Sequence, residues 1–147
     1  MRKVAFLISI VVVLFAFGLL VTGSPLLLLN LASGGEFPFG TLSTWAGIAA
    51  LPCAVLSGCH GLYAPADRFT TSSNYLLRAC IALGGLWGFT AYIFATNWAI
   101  NFRPGEGFLG SPLAATYFWT YTVLLVLMPL VILIVYVARP YWRRLRD

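Results

Sequence analysis

Residues 113–137 read LAATYFWTYTVLLVLMPLVILIVYV, twenty-five positions without a charged side chain. They run straight into residues 138–147, ARPYWRRLRD, which hold four arginines. A helix rises about 1.5 Å per residue and a bilayer's hydrocarbon core is about 30 Å thick, so about 20 apolar residues cross it. The stretch is long enough to span, and the arginines after it read as a stop at the membrane surface. Proline at 129 is tolerated in such a helix as a kink.

The same reading extends backwards through the chain. Residues 4–21 (VAFLISIVVVLFAFGLLV) form a second run, residues 42–63 a third with Pro52 inside, and residues 75–98 a fourth. The expected fold is an all-α integral membrane protein, one domain over residues 1–147. Four transmembrane helices at about 4–21, 42–63, 75–98 and 113–137 form an antiparallel bundle with both termini inside. Residues 1–23 also resemble a cleavable signal peptide, with a basic start and a poor cleavage site at Val21-Thr22-Gly23. The apolar stretch is longer than signal peptides usually carry, which favours a retained helix. Residues 25–32, PLLLLNLA, are too short to span and read as an interfacial or re-entrant turn. Residues 33–40 and 64–74 read as loops.

Composition agrees. Of 147 residues, 61% are hydrophobic and 9% charged, and the mean hydropathy is +0.91. A soluble domain is about 25% charged. These values exclude a soluble enzyme, a nucleic-acid reader and a disordered chain. The net charge of +5 is a matter of placement. Arg2, Lys3, Arg68, Arg78, Arg139, Arg143, Arg144 and Arg146 share one expected side, and Arg103 alone lies on the other. By the positive-inside rule both termini are expected in the cytoplasm, of a bacterial plasma membrane. Tyr141 and Trp142 on that side, and Trp45 and Trp98 on the other, read as interfacial anchors.

The helices divide into faces. At about 100° per residue, Ala46, Ala50, Cys53 and Ser57 share a small-residue stripe with His60, while Ile48, Leu51 and Val55 lie opposite. Cys80, Gly84, Gly88, Ala91 and Ala95 form a matching stripe around the GxxxG of Gly84-Gly-Leu-Trp-Gly88. Without a hydrophobic drive between helices in lipid, close backbone approach supplies association. These nine residues are the expected packing seam, either within a hairpin of spans two and three or between copies. Thr116, Tyr117, Thr120, Tyr121 and Thr122 give the last span a polar outer half.

Few residues could carry chemistry. His60 and Arg78 lie about a turn inside their helices from the same side. They are the candidate polar, headgroup or partner site, because ionisable groups within spans are costly. All four acids, Glu36, Asp67, Glu106 and Asp147, fall outside the spans, which argues against a carboxylate relay. Cys53, Cys59 and Cys80 form no CxxC and read as buried small hydrophobes. Asn97, Asn101, Arg103 and Glu106 could present a small polar face outside. No cofactor, metal site or catalytic constellation is expected, and no nucleic acid. The expected function is a non-catalytic membrane protein acting through a protein partner or its own copies in the bilayer, as an accessory subunit or an immunity-type protein. A quinone- or haem-associated redox subunit and a small oligomeric channel or transporter are the alternatives.

Overall fold

The computed structural model describes residues 1–31, 37–100, 102 and 107–144. Four long helices account for most of them: α1 (Arg2–Thr22), α2 (Phe39–Gly58), α4 (Arg68–Ala95) and α5 (Pro112–Arg144), with the single turn α3 (His60–Tyr63) between α2 and α4. All four are long and apolar enough to cross a membrane.

Local chemistry sets their ends. Gly23 closes α1 in the left-handed conformation (φ 58°), its N–H donating to Leu20 and that of Ser24 to Leu19. This is a Schellman cap, which glycine enters without a Cβ penalty. Pro25 then opens a 3-10 turn, Pro25–Leu28, whose first free amide donates to the Ser24 hydroxyl at 3.3 Å. A bridge between Asn30 and Pro38 brings the chain back to α2. α4 ends at Ala95, short of the expected Trp98, because Thr96 turns left-handed (φ 58°).

Other boundaries also moved. The polar stretch TTSSN, read from sequence as loop, is the first two turns of α4. Asp67 starts the helix with a capping box: its carboxylate accepts the Thr70 amide at 3.0 Å, and the Thr70 hydroxyl accepts the Asp67 amide at 3.1 Å. Thr70, Ser73 and Asn74 are buried, and the Asn74 amide donates to the Leu62 carbonyl at 2.6 Å. Span two does not run to Tyr63. It stops at Gly58, because Cys59 is extended (φ −95°, ψ 110°). α5 continues through Arg139 and Pro140 to Arg144, where a tail was expected.

Contacts run antiparallel along each neighbouring pair. Phe6 lies at Gly58 and Ala16 at Gly47, joining α1 to α2. Trp45 lies over Gly88 and Asn74 reaches Leu62, joining α2 and α3 to α4. Tyr121 donates to the Leu83 carbonyl at 2.6 Å and Arg139 meets Asp67, joining α4 to α5. The core therefore lies between α2, α4 and α5. Trp87 and Phe118 fill its centre with ring centroids 5.5 Å apart, both fully buried. The Trp87 indole donates to the Thr122 hydroxyl at 2.9 Å, which in turn donates to the Phe118 carbonyl. Of the polar outer half of the last span, Tyr121 and Thr122 thus bond into the bundle, while Thr116 bonds its own helix.

The α2–α4 contact rests on the absence of side chains. A Cβ on Gly84 would stand 3.2 Å from the Ala49 Cα, and one on Gly88 would collide with the Trp45 ring. The Trp45 indole N–H lies 3.0 Å from both the Gly84 and Gly85 carbonyls. Gly85, one position on, has nothing within 4 Å of a Cβ. Gly88→Ala should therefore destabilise the detergent-purified protein by about 1–3 kcal/mol through overpacking. Gly85→Ala should raise its thermal midpoint, since alanine is favoured in a helix by about 0.5–1 kcal/mol. Equal shifts in the two variants would refute this account of the seam.

Candidate functional site

His60 and Arg78 are not brought together. His60 is the first residue of α3, exposed, and Arg78 is exposed on α4. No hydrogen bond or ion pair joins them. The sequence reading treated α2 as continuous to Tyr63. The extended Cys59 shifts the helical phase, so Leu62 rather than His60 turns into the core, with no exposed surface.

The seam residues divide. On α4, Cys80, Gly84, Gly88, Ala91 and Ala95 are all buried, on the side facing the bundle. On α2 only Ser57 is buried, Ala50 and Cys53 are half-buried, and Ala46 is exposed. Ile48 and Val55, expected to face lipid, are core residues. The reason is that α2 has neighbours on two sides. Its glycines 47 and 58 admit α1, and Trp45, Ile48 and Ala49 meet α4. The hollow left by the glycines of α4 receives a large ring, not a second row of small residues.

The strongest concentration of polar contacts lies elsewhere, at the end of the bundle where α4 begins and α5 leaves. The Arg139 Nη1 donates to the Asp67 Oδ2 at 2.7 Å. The guanidinium also lies over the Phe69 ring, 5.0 Å from its centroid. The Gly61 amide donates to the Tyr136 hydroxyl at 3.3 Å, and a Cβ on Gly61 would stand 2.8 Å from that oxygen. Around these groups is a cavity of about 510 Å³, lined by Gly61, Asp67, Thr70, Tyr136 and Arg139 among others. Arg2 adds a cation 6.0 Å from the Tyr63 ring at this end.

The Thr70 backbone amide is the main cause holding the Asp67 carboxyl below the usual carboxylate range. Partial desolvation opposes it, and Arg139 lowers it further. The pair is partly exposed, so its strength lies in positioning: it ties the first turn of α4 to the end of α5. Sequence reasoning missed it. The available signal was Asp67 three residues before Thr70, a capping-box spacing, facing a helix that ends in arginine. The external residues Glu36, Asn101, Arg103 and Glu106 lie outside the described residues. Asn97 is described, and its side chain accepts the Ile100 amide at 2.7 Å and donates to the Gly107 carbonyl at 3.3 Å, so it serves the loop it sits in.

The linkage sign follows from the lowered carboxyl. Its stabilising effect is complete above the unfolded value, about pH 4, and is lost as pH falls through the folded value below that. Asp67→Asn keeps a capping oxygen and loses the ion pair. It should melt below the wild type at pH 7, and the gap should close as pH falls through the folded carboxyl's lowered value. Asp67→Ala loses the cap as well and should melt lower still. A gap that is independent of pH would remove the charge from the explanation.

No family model, no curated protein and no solved structure matches the chain.

Proposed function

We propose that this is a non-catalytic, multi-pass membrane protein that works by protein–protein contact inside the bilayer, as an accessory subunit or an immunity-type protein. One observation carries the reading: the open apolar cleft between α1 and α5. Among the described residues α1 packs on α2 and the 3-10 turn. Only 11% of its apolar window is buried. It stands apart from α5 across a cavity of about 510 Å³, walled by Leu14 and Phe17 on one side and Val126 and Leu130 on the other, with Gly47 and Ile48 in its floor. The Thr44 hydroxyl also lines the cleft, shielded from solvent and with no hydrogen-bond partner among the described residues.

A buried hydroxyl without a partner is unfavourable in an apolar medium. A transmembrane helix of a partner, or of a second copy, would lay apolar side chains into the cleft. Close packing of side chains between helices holds them together in lipid. The orientation that goes with this reading has both termini in the cytoplasm of a bacterial plasma membrane, supported by the placement of eight of nine basic residues.

Photo-crosslinking in intact membranes tests it. A photoreactive side chain at position 14 or 126, inside the cleft, should give one discrete protein adduct. The same group at Leu86, exposed on α4, should give none. Lipid adducts alone at positions 14 and 126 would overturn the proposal.

A further inference from the structure

The cavity beside Asp67 is bounded in part by Arg139. A second cavity, about 670 Å³, is lined by Phe69, Ile134, Val135, Ala138 and the same Arg139. The two share one lining side chain, Arg139. One holds a carboxylate, a phenol and a hydroxyl beside the guanidinium; the other is walled by aliphatic and aromatic carbon. A chamber bearing a few polar groups and a groove walled by apolar carbon, with Arg139 common to both, offer the two kinds of surface that an amphiphile needs.

The charge at this end selects among amphiphiles. Arg2, Lys3, Arg68 and Arg139 are gathered here against Asp67 alone among the described residues. Asp67 engages Arg139 through Nη1, which fixes the guanidinium and leaves its other N–H donors to a ligand. The planar fork of arginine matches a phosphate oxygen pair. Arg139 is 31% exposed, so these donors are accessible.

We propose that this double cavity is a binding site for one anionic phospholipid, with its phosphodiester on Arg139 and an acyl chain along Phe69, Ile134, Val135 and Ala138. In phosphatidylglycerol the headgroup hydroxyls would donate to Asp67 and meet Tyr136, so the carboxylate beside the phosphate becomes an acceptor rather than a repulsive neighbour. The site differs from the α1–α5 cleft in place and in chemistry, and it stands or falls separately.

Native mass spectrometry of the delipidated full chain, titrated with dioleoyl phosphatidylglycerol or dioleoyl phosphatidylcholine, tests it. The wild type should hold one phosphatidylglycerol more tightly than phosphatidylcholine. Arg139→Gln should weaken phosphatidylglycerol by roughly fivefold or more, since each surface cation contributes about 1 kcal/mol toward an anionic lipid. Arg78→Gln removes a charge that lines neither cavity and should leave that affinity unchanged. Ile134 is 65% exposed, so Ile134→Trp should fold and block the apolar channel, weakening both lipids even if Arg139→Gln is too unstable to measure. Inorganic phosphate at matched concentration should not raise the thermal midpoint. The proposal is overturned if Arg78→Gln and Arg139→Gln lose affinity equally, if Ile134→Trp binds as the wild type does, or if phosphate stabilises as well as the lipid.

Discussion

The structure depends on how closely the backbone of α4 can approach α2. In hydrocarbon, two apolar helices gain little by leaving lipid for each other, so contact must come from dispersion at short range and from the few polar bonds available. The glycines at 84 and 88 provide both. They remove the side chains that would hold the backbones apart, and they expose carbonyl oxygens to a donor. Trp45 occupies the resulting hollow and brings its indole N–H to the carbonyls of Gly84 and Gly85. With α2 and α4 fixed at this separation, Trp87 emerges on the next face of α4 and meets Phe118 and Thr122 of α5.

Much of this is legible in the sequence, for a physical reason. Length and apolarity define a spanning helix almost regardless of context, so the four long helices are readable. The α4 stripe is readable because glycine and alanine at helical spacing have few uses on a lipid-facing surface. The corresponding prediction for α2 failed at Ala46, Ile48 and Val55. Periodicity identifies faces, but it cannot say how many neighbours a helix has. A helix with partners on two sides buries bulky and small residues alike. The polar residues Thr70, Ser73 and Asn74 read as loop because hydropathy treats a buried, hydrogen-bonded side chain like a solvated one. The capping box at Asp67 was the local signal that contradicted that reading.

The candidate site was less legible. His60 and Arg78 were singled out because charge inside a span is rare, and both proved to be exposed. Asp67 and Arg139 lie 72 residues apart in the chain, and each is unremarkable alone, an acid in a short loop and an arginine after a span. Their importance comes from the antiparallel return of α5 beside α4, a tertiary fact. Helix continuity through one residue mattered as well. The extended backbone at Cys59 moved His60 off the face that an unbroken helix would have given it.

The two clusters of buried apolar residues draw their members from α2, α3, α4, α5 and the segment after α4, and none from α1. α1 lies along α2, the most extensive helix pair among the described residues, with Ser9, Ala16 and Leu19 as its buried residues. Among the described residues α1 is therefore joined to the three-helix core through α2 and not through α4 or α5. One helix, α2, thus fixes the place of α1 in the fold, and most of the α1 surface is left for whatever lies beside it.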